Sequence, residues 1–197
     1  MTALVSPPLP LAVPAPAAPA AKPQMTIEEF IERYQGTNAE YVDGVVKEPT
    51  MVWPKRGKTC RALARALGTF IEDNDRGHFM TNDSWFRTGP KKMRGGDVCY
   101  CSYARLPKGE VPEGELDVVP DLVGEVRSPT DRWIDVFAKV GEYLKAGVLV
   151  VAVVDPEKRT ASAYRLPVEQ AIFEEADTLV IPDVLPGFSV AVARLFA

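Results

Sequence analysis

Apolar and polar positions divide most of the chain into recognisable elements. "TIEEF" opens a helix that the pattern carries to about Tyr34, with Thr26 as N-cap and Glu29 reaching back in a capping box. "EYVDGVVKE" follows, and Asp43-Gly44 between apolar runs predicts a β-hairpin. Over 59–73, Leu63, Leu67, Phe70 and Ile71 recur at helical spacing with Arg61 and Arg65 on the flank. Strands are expected near 78–86, 97–103, 121–127, 148–155 and 160–165. Between the third and fourth of these, "TDRWIDVFAKVGEYLKAG" reads as a helix over 130–147, capped by Thr130 and ended by Gly147. Its apolar stripe reads as Trp133, Ile134, Phe137, Val140, Gly141 and Leu144. "VLVVAVVD" is a continuous apolar run, as in a strand buried on both faces. This order predicts an α/β fold, with a mixed β-sheet flanked by α-helices and an N-terminal β-hairpin. No internal repeat is visible.

Composition trims this picture at its start. Residues 1–24 are nearly all Pro, Ala and small apolar residues, which deny the backbone its hydrogen-bond donors and predict an extended tail outside the fold. The stretch lacks the basic segment and unbroken apolar core of a secretory signal. The folded domain is expected over 25–197, in a cytoplasmic setting, with no membrane-spanning run. Three cysteines are too few for a disulfide framework or a four-cysteine zinc site, and Cys99 and Cys101 should be buried on one strand face. The single histidine, His78, leaves little for His-based zinc sites or Ser-His triads to build on. A net charge of −4 speaks against sequence-blind coating of nucleic acid but allows a locally basic groove.

Chemistry concentrates around "PDLVGEVRSPTD" (120–131). On a strand from Asp121 to Arg127, Asp121 and Glu125 share a face but lie roughly 13 Å apart. A Mg²⁺ ion holds oxygen ligands at about 2.1 Å, so these two cannot share one. Asp121 more simply starts the strand. A partner for Glu125 must come from a neighbouring strand, and "RGGDVCYCS" offers Asp97 at the head of an apolar run. A buried acid stays charged only beside a cation or donors, so Asp97 and Glu125 are candidate ligands for a divalent metal, or each pairs with an arginine or caps a turn. Arg127 follows Glu125 on the same face and could stabilise phosphate charge, though it cannot act as a base. Lys139 falls nearly opposite the apolar stripe of its helix, which favours a solvated lysine. Glu40 alone reads as a strand-edge acid. Lys55, Arg56, Lys58, Arg61 and Arg65 form one basic cluster, and Arg87, Lys91, Lys92 and Arg94 another. Both are compatible with solvated faces or with a phosphate backbone. Trp53 and Trp85 could pack in the core or stack on bases.

In order and spacing, "MTIEEF", "AEYVDGVVKE", "GGDVCYCS", "VVPDLVGEVRSPTD" and "KVGEYLKAGV…VVDP" resemble the Uma2 family of endonucleases, in the PD-(D/E)xK, restriction-endonuclease-like superfamily. The resemblance implies a nuclease core with acids from adjacent strands meeting at one Mg²⁺ (or Mn²⁺) site. It places Glu40, Asp97 and Glu125 at the family's acidic positions and Lys139 at the helical lysine after the Ser-Pro-Thr loop. Two departures stand out: Gly96 replaces a usual Pro, and Arg127 an apolar residue. Arg127 could therefore supply the superfamily's missing Lys or salt-bridge the acids and silence the site.

The expectation is a Mg²⁺-dependent endonuclease acting on DNA. Asp97, Glu125 and the Val126 carbonyl would hold the metal, with Glu40 as an outer ligand and Lys139 or Arg127 beside the reacting phosphate. The rival is a catalytically silent domain of the same fold that binds nucleic acid or protein. Pairing into a homodimer is allowed by either reading.

Overall fold

The computed structural model describes residues 25–48, 53–109, 111–167 and 169–197. The expected Pro/Ala tail, residues 1–24, lies outside them. Helix α1 (Ile27–Tyr34) starts in a complete capping box: Thr26 Oγ1 accepts from the Glu29 amide and the Glu29 carboxylate accepts from the Thr26 amide. Its buried Phe30 packs against Tyr41 and Trp85, forming a small core at one end of the sheet. The hairpin β1 (Glu40–Val42) and β2 (Val45–Lys47) turns through Asp43 and Gly44, both in the left-handed region at φ 49° and 87°. A type I′ turn needs that pair of angles, and Asp-Gly adopts it cheaply.

Helix α2 (Pro54–Asp73) begins at Pro54 rather than 59, because proline at the first helical position lacks only a donor that would be unpaired anyway. Leu63, Leu67 and Ile71 are fully buried along its inner face. Two long strands follow, β3 (Gly77–Gly89) and β4 (Lys92–Ser102), paired along nearly their whole lengths. Sequence periodicity shortens both, since the polar "KKMRGG" carries no strand pattern yet forms the first half of β4. Next come β5 (Leu122–Val126), α3 (Trp133–Ala146), β6 (Val150–Asp155), β7 (Thr160–Arg165) and β8 (Glu169–Phe173). A separate pair, β9 (Thr178–Val180) and β10 (Ser189–Ala191), leads into a 3₁₀ turn, Val192–Leu195. The last three strands are short and carry too little periodicity to stand out in the sequence.

Eight strands make one mixed sheet in the order β2-β1-β4-β5-β6-β7-β8, with β3 also on β4. Among the described strands only β5 and β6 pair in parallel, joined by α3 as a crossover helix. Strand β4 has three neighbours. Because β3 occupies one edge throughout, β1 and β5 must share the other: β1 pairs at Lys92 and Met93, and β5 at Val98 to Tyr100. Residues 94–97 are left between them, claimed by neither strand. Helix α2 covers one face of the sheet over Val98, Leu122 and Val126. Helix α3 covers the other over Cys99, Val123 and Val151, so Cys99 and Cys101 are buried on one face as expected.

Helix α3 differs from the sequence reading in two respects. Its N-cap is Arg132, not Thr130, because Ser128–Asp131 folds into its own turn, in which Asp131 Oδ2 accepts from the Ser128 amide at 2.8 Å. Its buried side is also rotated from the apolar stripe. Val140, Tyr143 and Leu144 are buried, whereas Ile134 is 68% and Phe137 47% exposed. Lys139 thereby faces the sheet rather than solvent.

Candidate active site

Arg94, in the unclaimed part of β4, lines a cleft of about 490 Å³. Several other elements converge on it. β1 contributes Glu40, β5 contributes Glu125 and Val126, α3 contributes Lys139, and the first turn of α2 contributes Arg56. Asp97 is buried behind two of these lining residues, bonded to Arg56 and to the Val126 amide.

Asp97 stands where β4 and β5 part. Its Oδ2 accepts from the Val126 amide at 2.6 Å, so the side chain replaces a ladder bond that the diverging backbones no longer make. Its Oδ1 accepts from Arg56 Nη2 at 2.6 Å, and Arg56 Nε also donates to the Val126 carbonyl at 2.8 Å. Glu125 is turned to the α3 side. Its Oε1 lies 2.9 Å from Lys139 Nζ and 2.8 Å from the Tyr143 hydroxyl. Lys139 is also 2.9 Å from Glu40, so one ammonium joins the acids of β1 and β5. Glu40 is held from behind by Arg94 at 2.7 Å, and Arg94 in turn forks onto Glu142 of α3. Arg94 is therefore a buried tie between β4, β1 and α3, not part of an exposed basic cluster.

The electrostatics separate these acids. Burial, with Asp97 and Glu40 as nearby like charges, pushes Glu125 up to about 7 despite the Lys139 ammonium. Glu40 moves the other way: burial would raise it, but Lys139 and Arg94 together hold it below the ordinary carboxylate value. Tyr143 has one hydroxyl proton for two acceptors, Glu125 and the Gly95 carbonyl at 2.9 Å. A protonated Glu125 would free that proton for Gly95 by becoming the donor itself.

Sequence reasoning missed Asp83. Opposite Asp97, β3 places Asn82 and Asp83 against one residue of β4, a β-bulge with φ 60° and 56° at the two positions. The bulge aims Asp83 into the cleft, where burial and the neighbouring Asp97 push it up to about 6. The available signal was "TND", a polar break within a strand made of residues that tolerate the left-handed region. Gly95 makes the bulge fit, since a Cβ there would lie 2.2 Å from the Asp83 carbonyl oxygen. Tyr143 was also missed, and Arg56 was read only as one of a basic cluster, because neither residue type stands out on an amphipathic helix.

Of the remaining candidates only Arg127 also lines the cleft. Arg127 does not pair with the cleft acids: it lies one residue beyond β5, 3.4 Å from Asp155, with its guanidinium over Trp133. Asp121 is buried away from the cleft, accepting from the Ser102 amide at 2.7 Å and from Arg105. His78 meets the Pro107 carbonyl. Trp85 is in the small core, while Trp53 is 57% exposed at the start of α2.

The donor set suits a hard cation, because the acids and the Val126 carbonyl present only oxygens. Asp97 Oδ1 and the Val126 oxygen converge closely enough for one guanidinium to bond both. That cradle fits a divalent ion of the Mg²⁺ type, which keeps several waters and needs only one or two carboxylates. Among the described residues, no three Asp, Glu, His or Cys side chains are grouped to hold a metal by themselves.

A mixed sheet between helices, with acids gathered where two strands diverge, defines a protein of the restriction-endonuclease-like fold. The chain belongs to the Uma2 family, whose model matches residues 27–193 and is described as "Putative restriction endonuclease". Among solved structures it is similar to a protein of Anabaena variabilis ATCC 29413 described as a "putative nuclease belonging to DUF820". The two share 20% identity and a TM-score of 0.75, over 87% of this chain and 97% of the other. No curated protein matches the chain. Family and fold together support a nuclease function. Among the described residues, no helix is long and apolar enough to cross a membrane.

Proposed function

We propose that the chain is a divalent-metal-dependent endonuclease that hydrolyses phosphodiester bonds in DNA. The observation that carries this reading is the meeting of Glu40, Glu125 and Lys139 in one cleft beside Asp97. Asp97, Glu125 and the Val126 carbonyl would hold Mg²⁺ or Mn²⁺, which when bound would supply an activated water and offset charge on the scissile phosphate. Glu40 keeps Lys139 in place, and Arg94 keeps Glu40 in place. Lys139, already aimed into the cleft, would donate to a phosphate oxygen as negative charge builds there. Arg127 supports the Ser128–Asp131 turn through the Asp131 carbonyl at 3.1 Å, which makes it a positioning residue.

The test is cleavage of supercoiled, linear, branched and single-stranded DNA with and without Mg²⁺ or Mn²⁺. Asp97→Ala and Glu125→Ala should abolish metal-dependent cleavage while the circular dichroism spectrum is unchanged. Cleavage by these folded variants at the wild-type rate would overturn the site.

A silent nucleic-acid-binding domain has one observation in its favour: Asp97, Glu40 and Glu125 are each paired with a cation of the chain itself. The cation on Asp97 is Arg56 and not Arg127. A wild-type chain that binds DNA but cleaves none of the substrates with either metal would favour this reading.

A further inference from the structure

The two oxygens that Arg56 bonds are the two that the proposed function gives to the metal. Its Nη2 is 2.6 Å from Asp97 Oδ1 and its Nε is 2.8 Å from the Val126 oxygen. Resting on that reading, we propose that Arg56 is a resident counter-cation of the metal site. It leaves Asp97 when a divalent ion enters, and its guanidinium is taken up by the phosphate of the bound strand. Metal loading and nucleic-acid binding are thereby coupled.

Several features support this exchange. Arg56 is in the first turn of α2, where the partial positive charge of the helix N-terminus disfavours a cation. That turn has no acidic residue, and Trp53 gives no side-chain cap. What draws the guanidinium inward is thus Asp97 and the Val126 carbonyl. A divalent ion on the same oxygens would sit within a few ångströms of the guanidinium, and charges that close repel strongly in a partly buried site. Both cannot stay. Arg56 has a way out, because its side chain is one-fifth exposed (20%) at the cleft wall. Outside, the exposed Trp53 stands three positions before it at the helix start, an aromatic face suited to stacking on a nucleic-acid strand. The planar guanidinium fork matches a phosphate as well as it matches a carboxylate.

The exchange predicts reciprocal coupling: phosphate backbone strengthens metal binding, and metal strengthens backbone binding, by the same factor. The experiment is calorimetric titration of Mn²⁺ into wild type, Arg56→Met, Arg56→Lys and Asp97→Asn. Each is titrated alone and with a phosphorothioate-linked DNA duplex that resists cleavage. Without DNA, Arg56→Met should bind Mn²⁺ about tenfold more tightly than wild type. DNA should raise the wild-type affinity about tenfold more than it raises that of Arg56→Met, because the phosphate meets the metal in both but takes up a displaced guanidinium only in wild type. Arg56→Lys, which keeps the charge but cannot bridge both oxygens, should fall between the two, and it answers the question if Arg56→Met does not fold. Equal Mn²⁺ affinity in wild type and the Arg56 variants, with binding abolished in Asp97→Asn, would overturn the exchange and leave the metal site standing. Absence of any Asp97-dependent Mn²⁺ binding would remove the metal-site reading itself, and the exchange with it.

Discussion

Lys139 Nζ lies 2.9 Å from Glu125 Oε1, joining the crossover helix to the strand it follows in the chain. The same ammonium reaches Glu40 at 2.9 Å, so it links two acids that are far apart in sequence. Lys139→Met should leave both carboxylates without their shared cation. It should cost about 1–3 kcal/mol, at or below the usual range for breaking a buried pair because Glu125 can take up a proton. Urea denaturation measures that loss, and metal-dependent DNA cleavage should fall at least ~100-fold. Undiminished cleavage would remove Lys139 from the chemistry.

Asp121 and Asp97 both accept from a backbone amide, but only Asp97 is bonded to residues that line the cleft, Arg56 and Val126. Asp121→Ala strands the Ser102 amide and Arg105, and should destabilise the fold by about 1–3 kcal/mol. Mn²⁺ binding should survive in the fraction that remains folded. Loss of metal binding by folded Asp121→Ala would contradict this division.

Gly95→Ala tests the bulge. The new Cβ would meet the Asp83 carbonyl at 2.2 Å, and backbone cannot rotate aside as a side-chain tip can. A loss of roughly 2 kcal/mol or more is expected, in the range of strain at a special backbone position. A melting temperature equal to wild type would show that the bulge relaxes freely.

Glu142 gives the fold a defined acid limb. Burial opposes its ionisation, but Arg94, Thr88 and Lys92 together lower it from 4.5 to about 2. A depressed carboxylate contributes stability that is fully present above its unfolded value of 4.5 and is lost as pH falls through about 2. Denaturation midpoints measured from pH 6 down to about 2 should therefore fall less steeply in Glu142→Gln than in wild type. Parallel curves would mean that the Arg94 fork contributes nothing to acid stability.

Most of the elements can be read along the chain because their causes are local. Thr26 and Glu29 cap α1 within one turn, Asp43-Gly44 makes the hairpin, and Gly147 ends α3 in the left-handed region at φ 108°. Strand rise alone, roughly 13 Å over four residues, excluded Asp121 and Glu125 from sharing an ion. Periodicity failed on α3, where Ile134 and Phe137 are exposed and Tyr143 is buried. An apolar stripe ranks residues by hydrophobicity, whereas the buried face here was chosen partly by the acids that Lys139 and Tyr143 satisfy.

Sequence by itself determined the fold class and the capped and turned ends of its elements, and it put forward Asp97 and Glu125 as acids to look for together. Tertiary structure alone decided how they meet. The edge of β4 is shared between β1 and β5, and the residues left between those strands open the cleft. Which cation faces which acid follows from that packing. Arg56 comes to Asp97 across 41 positions of sequence, and Arg127, two residues from Glu125, turns to Asp155 instead. Strand divergence and helix rotation are long-range outcomes of burying a shared core, and no local pattern encodes them.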